Sequence, residues 1–251
     1  MISSVEINYL GQAYGFDPQF AIDISTVLKE DSVNCYYAQK VTFETYVFGD
    51  FVGSVAQGGP VNYQRVTLTP HGNGTHTECY GHISADADAT IYNCLKKHLF
   101  FAQLVTLPAY PEGPDSIVRL EDLKRQLNGV IPEAIIIRTL PNEETKLKKQ
   151  YSGTNPPYLD AEIGKFLAKH QVKHLLVDLP SVDREEDNGE LKCHHAFWQY
   201  PEKTRKDCTI TELVYVNSSV PDGFYLLNLQ VISLWSDASP SKPIIYRLKE
   251  L

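Results

Sequence analysis

Between Pro70 and His82 the chain reads Pro-His-Gly-Asn-Gly-Thr-His-Thr-Glu-Cys-Tyr-Gly-His, which gathers three of its eight histidines and a carboxylate. Imidazole and carboxylate donors together suit a borderline divalent metal such as zinc or manganese. His76 and Glu78 are two positions apart, so on an extended strand both side chains leave the same face. Gly74 frees the backbone where neighbouring side chains must converge. His71 is a further candidate ligand, and His82 is either a ligand or a proton shuttle. A single histidine more often serves structure, but several neighbouring imidazoles are costly to bury without a task. The chemistry expected is metal-dependent hydrolysis. A bound ion lowers the pKa of a water, the water attacks a carbonyl, and a histidine moves the proton.

A second cluster, Cys193-His194-His195, precedes Thr209-Ile210-Thr211-Glu212. Either His194 or His195, with Glu212, could complete a metal shell from a distant part of the chain. The alternative is a surface histidine pair and a solvated Glu212. A third segment, Val177-Asp178-Leu179-Pro180-Ser181-Val182-Asp183, places Ser181 and Asp183 in a loop at the carboxyl end of an expected strand, where sites are often built. No G-x-S-x-G elbow surrounds Ser181, which argues against a serine hydrolase. Tyr80, Phe48, Phe51 and Trp198 could shape a pocket for a planar substrate or could be core aromatics. Cys79 and Cys193 could line a site or be small buried hydrophobes.

The elements that must hold these groups read as a mixed α/β fold. Strands are expected at 20–25, 64–69 (leading into the histidine-rich segment), 100–108, 134–138, 174–179, 210–216, 223–230 and 243–248. Ala134-Ile-Ile-Ile-Arg138 is an apolar run of the kind buried inside a sheet. Helices are expected at 119–127 and at 160–170, the latter capped by Asp160 with Ile163, Phe166 and Leu167 inward. Residues 142–150 are a charged loop or a solvated helix face.

At 251 residues and 43% hydrophobic content, the chain reads as a single globular domain over residues 1–251. Its net charge of -8 argues against a nucleic-acid partner. Five cysteines without a CxxC pair suit a reducing compartment. The first residues lack a basic stretch followed by an apolar run, and no apolar run reaches membrane-spanning length, so the expected location is the cytoplasm and no membrane is expected as a partner.

Taken together, these segments resemble the cyclase family of metal-dependent hydrolases, whose best-known activity is kynurenine formamidase. The family motif His-x-Gly-Thr-His-x-Asp-x-Pro-x-His is matched at Gly74, Thr75, His76 and His82, with Glu78 in place of the aspartate. Ile22-Asp23-Ile24-Ser25 is similar to the family's opening strand, and Asp178-Leu179-Pro180-Ser181-Val182-Asp183 to its Asp-x-Pro-Ser-x-Asp segment. The stretch from Thr211-Glu212-Leu213 through Gly223-Phe224-Tyr225-Leu226 to Pro243-Ile244 is similar to its closing strands.

The resemblance implies a swivelling β/β/α-type mixed-sheet domain that assembles as a homodimer or homotetramer and acts on a small-molecule substrate. It implies His76 and Glu78 as metal ligands, with His194 (or His195) and Glu212 completing the shell. His82 is then the general acid/base, and one or two Zn²⁺ or Mn²⁺ ions are bound. Three positions depart from the pattern: Gly72 stands where the family has its first histidine, with His71 one place off; Glu78 replaces aspartate; Tyr80 replaces proline. The first departure implies a site that holds one ion. The expected activity is hydrolysis of an amide or formamide C–N bond. Its rivals are hydrolysis of a cyclic amide or lactone, a non-catalytic metal- or ligand-binding role, and a purely structural one.

Overall fold

The computed structural model describes residues 5–127 and 129–251. Seven strands carry the site: β1 (His76–Glu78), β2 (Leu99–Glu112), β3 (Ala134–Leu140), β4 (His174–Val177), β5 (Thr209–Glu212), β6 (Gly223–Val231) and β7 (Ala238–Arg247). The apolar run of β3 is buried along all but its last residue, because β2 and β4 pair with it in parallel on either side. β4 continues in parallel to β5, and β5 turns antiparallel to β1. β1, β7, β6 and β2 follow, each antiparallel to the next. Since β2 also pairs with β3, the pairings close into a ring. The sheet is therefore mixed, as the alternation of strands with a few helices implies.

Among the described residues four α-helices accompany the ring: α1 (Ile91–Cys94), α2 (Leu120–Gln126), α3 (Ala161–Lys169) and α4 (Lys192–Trp198). Asp160 caps α3 as expected, its carboxylate accepting from the amide of Glu162, and Ile163 and Leu167 are fully buried while Phe166 is only half-buried. One apolar core joins these helices to the ring through Leu104, Ile135, Ile137, Leu176, Ile210 and Leu227. No helix among the described residues is long and apolar enough to cross a membrane.

Three expectations need correction, the first being the strand at 210–216, which runs over Thr209–Glu212 and stops where Leu213 turns left-handed, φ +56. The segment around 64–69 forms a strand only over Gln64–Thr67, pairs with Thr42–Thr45 in a two-stranded ribbon, and is exposed at every residue. Its alternation marks a local pairing and not an entry to the core; a turn at Thr69 to Asn73 separates it from β1. The strand at 20–25 is shorter, Ile22–Asp23, and lies along β7. Of the two readings of residues 142–150, the structure gives a short 3-10 helix, Glu144–Lys148.

Candidate metal centre

β1 lies between β5 and β7, and its register sets Glu212 directly opposite His76. His76 and Glu78 are fully buried. Gly74 adopts φ +67, which favours glycine, and a Cβ there would also press on Leu28 Cδ2 at 2.6 Å and Thr26 Oγ1 at 2.9 Å. Thr75 Oγ1 donates to the carbonyl of Leu213 at 2.6 Å, tying the start of β1 to the end of β5. His76 Nδ1 faces the carbonyl of Gly74 at 3.0 Å. A carbonyl only accepts, so Nδ1 carries the proton and Nε2 is left with its lone pair. That nitrogen is 3.4 Å from Glu212 Oε2.

His71 reaches the same point from the preceding turn, in which the amides of Gly72 and Asn73 both donate to Thr69. Its Nδ1 lies 3.1 Å from Glu78 Oε2, and its Nε2 lies 2.7 Å from Asp237 Oδ2. The one-place offset of this histidine in sequence therefore leaves no gap in space, which removes the reason to expect a ligand to be missing. From the far side, α4 brings in His194. Its Nε2 is 3.0 Å from Glu78 Oε1 and 3.8 Å from Glu212 Oε1, while its Nδ1 is 2.7 Å from Asp183 Oδ2.

Each of the three imidazoles thus has one nitrogen tied to an outer acceptor (Asp237, the Gly74 carbonyl, or Asp183) and the other aimed inward at Glu78 and Glu212. Outer acceptors of this kind orient metal-binding histidines. Two of the inward atoms, His76 Nε2 and Glu78 Oε2, are buried and make no well-formed hydrogen bond, their charged neighbours being Glu212 Oε2 at 3.4 Å and His71 Nδ1 at 3.1 Å. Buried polar atoms left in this state are unfavourable unless a cation or proton satisfies them. Nitrogen and carboxylate donors in this number fit a divalent ion such as zinc or manganese, and His71, His76 and Glu78 place ligand atoms within 4.8 Å of one another.

The same groups are strongly polarised without an ion. Burial alone would strip the proton from His71, but the carboxylates of Asp237 and Glu78 push it up to about 10. Burial likewise works against a charged His194, and Asp183 and Glu78 reverse the effect and hold it well above its ordinary value. Burial favours a protonated Glu78; the charge of His82 and the hydrogen bond from His194 outweigh it and keep the carboxyl well below its usual range. Hydrogen bonds with His71 and His82 lower Asp237 in the same direction.

His82 lies at the edge of the cluster, about one-third exposed, with Nδ1 3.6 Å from Asp237 Oδ2 and 3.8 Å from Glu78 Oε2. It lines a cavity of about 300 Å³ together with His71, Glu212, Ser181, Tyr36 and Leu191. Tyr36 holds a left-handed backbone, φ +52, and its hydroxyl meets Ser181.

Several expected site residues are elsewhere. His195 turns away from the cluster and donates from Nδ1 to the carbonyl of Tyr200 at 3.1 Å, because successive helical residues leave different faces. Tyr80 is buried, and its hydroxyl donates to Asp86 at 2.8 Å. Trp198 is buried with its indole N–H on the carbonyl of Cys208 at 2.9 Å. Neither aromatic lines the cavity; both complete the core beside the site. Phe48 is exposed on a separate hairpin. Asp183 has its carboxylate occupied by the amides of Cys193 and His194 and by the His194 ring, so it supports the site and does not face a substrate. Cys79 and Cys193 are buried core residues. Two groups escaped the sequence reading. Asp237 is 166 positions from His71 and sits in Ser-Asp-Ala-Ser-Pro, where no neighbouring histidine or acid marks it. Tyr36 sits between Cys35 and Tyr37, with no histidine or acid beside it.

Residues 22–184 match the model of a family described as putative cyclase. The chain is 31% identical to a kynurenine formamidase of Bacillus cytotoxicus over 190 residues, which is 75% of this chain and 82% of that protein. Isatin hydrolase A from Ralstonia solanacearum shares the fold with a TM-score of 0.67 at 12% identity, covering 90% of this chain and 91% of that one. A protein described as a predicted metal-dependent hydrolase from Bacillus stearothermophilus does so with a TM-score of 0.64 at 15% identity, covering 90% and 97%.

Proposed function

This chain belongs to the cyclase family, and from that premise we propose that it is a metal-dependent hydrolase of amide or formamide C–N bonds, arylformamidase-like in its choice of substrate. The observation that carries the reading is the convergence of buried His76 Nε2 and Glu78 Oε2, neither in a well-formed hydrogen bond, with the inward nitrogens of His71 and His194. His71, His76, Glu78, His194 and Glu212 would hold the ion, zinc or manganese. Such an ion, when bound, supplies Lewis-acid polarisation of a carbonyl and a water of lowered pKa.

The chain's own residues do the rest. The cavity of about 300 Å³ admits a small substrate and offers Tyr36 and Leu191 as walls. With Nδ1 turned towards Asp237 and Glu78, His82 lines the cavity and has Nε2 left for the reaction. That nitrogen takes a proton as water attacks the carbonyl carbon and returns it to the departing nitrogen as the C–N bond breaks. Asp183 and the Gly74 carbonyl hold the rings of His194 and His76 in place throughout.

The test is elemental analysis of protein purified without chelator, followed by turnover on a panel of aryl formamides and cyclic amides with added Zn²⁺ or Mn²⁺. Hydrolysis of the formamides with stoichiometric metal is expected. His76→Ala should lose both, and His82→Gln should keep the metal and lose turnover. A His76→Ala protein with full metal content and full activity would overturn the assignment. Turnover confined to cyclic amides would reject the formamidase specificity.

A further inference from the structure

Asp237 lies just before β7 on backbone that is pinned to the exit of β1. Its carbonyl accepts from the amide of Cys79 at 2.9 Å, and the carbonyl of Ser236 accepts from Ile91 at 2.7 Å. The Ser236 hydroxyl donates to Asp237 Oδ1 at 3.1 Å. The remaining oxygen, Oδ2, faces two imidazoles. It lies 2.7 Å from His71 Nε2 and 3.6 Å from His82 Nδ1. The two rings are 4.3 Å apart between centroids and inclined by 31°, so one carboxylate oxygen addresses the edges of both.

These two histidines have different tasks. His71 belongs to the group that would hold the ion, and His82 is the proton carrier. A carboxylate can only accept hydrogen bonds, so it favours a proton on an imidazole nitrogen turned towards it; His71 Nε2 is within hydrogen-bond distance, and His82 Nδ1, at 3.6 Å, lies just outside it. The proton on one ring nitrogen settles what the other can do. We propose that Asp237 is a positioning residue that fixes the tautomer of both rings at once. It holds N–H at His71 Nε2 and at His82 Nδ1, which leaves His71 Nδ1 free as a ligand and His82 Nε2 free as a base. The nearest other carboxylate oxygen to His82 Nδ1 among the described residues is Glu78 Oε2, at 3.8 Å, and Glu78 is itself one of the proposed ligands. Asp237 is therefore the acceptor that remains available to His82 when the centre is loaded. The role given to His82 rests on the amide-hydrolase reading; the tautomers themselves do not.

Three readouts test this. In zinc-loaded, substrate-free protein, long-range proton–nitrogen NMR at a pH where His82 is neutral should show His82 protonated at Nδ1. A wild-type His82 protonated at Nε2 overturns the proposal without any variant. Asp237→Asn keeps the shape but supplies an amide that can donate, so His82 should shift to the Nε2–H form. Zinc affinity, read by competition with a chromophoric chelator, should fall by about 10–100-fold through His71. With metal saturating, kcat on an aryl formamide should still fall by about 10²-fold or more, and Asp237→Glu should recover part of both losses. Adding Asp237→Asn to His82→Gln should cost no further kcat, since the two act through one group. Unchanged tautomers and unchanged zinc affinity in Asp237→Asn overturn the proposal. Failure of every substrate in the panel would reject the hydrolase reading alone, because the NMR and zinc measurements involve no turnover.

Discussion

Asp183 Oδ2 is 2.7 Å from His194 Nδ1, and the same carboxylate accepts from the amides of Cys193 and His194 at 2.7 and 3.0 Å. One side chain both closes the open end of α4 and turns its imidazole towards the cluster. Free amides at a helix start favour a negative partner. Replacing Asp183 with alanine should weaken metal binding by about 10–100-fold and lower stability by about 1 kcal/mol. Chelator competition and urea denaturation measure the two effects separately; a loss of stability with unchanged affinity would confine Asp183 to the helix.

Metal affinity should depend steeply on pH. Without an ion, His71 is pushed up to about 10 and His194 is held well above its ordinary value, both by neighbouring carboxylates. A ligand nitrogen must lose its proton to bind, so near neutral pH loading displaces protons from these rings. Apparent affinity should rise with pH, by roughly tenfold per unit for each proton displaced. Chelator competition at about pH 6 and about pH 8, with proton release followed in weak buffer, gives the number.

The acid limb of the stability profile should carry the signature of His174. This residue is buried against Phe100 and hydrogen-bonded to Thr209 Oγ1 at 2.8 Å. Burial, with Lys173 and Arg205 nearby and only Asp207 opposing, pushes it down to about 3. The unfolded chain takes up a proton at His174 below about pH 6.5, while the folded chain does not. Stability linked to His174 is therefore complete above that pH. It declines by up to about 1.4 kcal/mol per unit as the pH falls towards 3. His174→Gln should flatten this slope in urea melts, even if it lowers stability at neutral pH.

Lys146 anchors the short helix at Glu144–Lys148 to the sheet. Its ammonium donates to Asp178 Oδ2 at 2.7 Å and to Thr139 at 2.8 and 3.0 Å. Burial raises the Asp178 carboxyl, and Lys146 opposes that effect. Lys146→Met strands a buried carboxylate and should cost about 3–5 kcal/mol. The deficit should shrink on acidification as Asp178 takes up a proton. Urea melts at two pH values check both the size and the sign.

Much of the positioning frame was legible in the chain. Ala134-Ile-Ile-Ile reads as a buried strand, Asp160 marks the start of a helix, and the two-residue spacing of His76 and Glu78 puts both on one face. What local pattern could not supply was direction across long separations. Nothing near Asp237 or Tyr36 distinguishes them from surface residues, and their positions depend on ring closure and loop backbone. Aromatic character alone does not tell a pocket wall from core, and of those two readings Tyr80 and Trp198 take the core one, behind the cavity. Asp183 was expected at the same loop for a different reason: the amides of α4 that occupy it become visible only once the helix is in place.

Glu212 stands across the ladder from His76, and β5 is itself fixed by β4 and β1. A slip of one residue would send its carboxylate to the opposite side of the sheet. The cluster is thus a gauge of correct assembly, since a partly formed or misthreaded chain cannot present its groups together. Any cation they hold adds its binding energy to the finished topology alone, which would make cation supply a selector among folding outcomes.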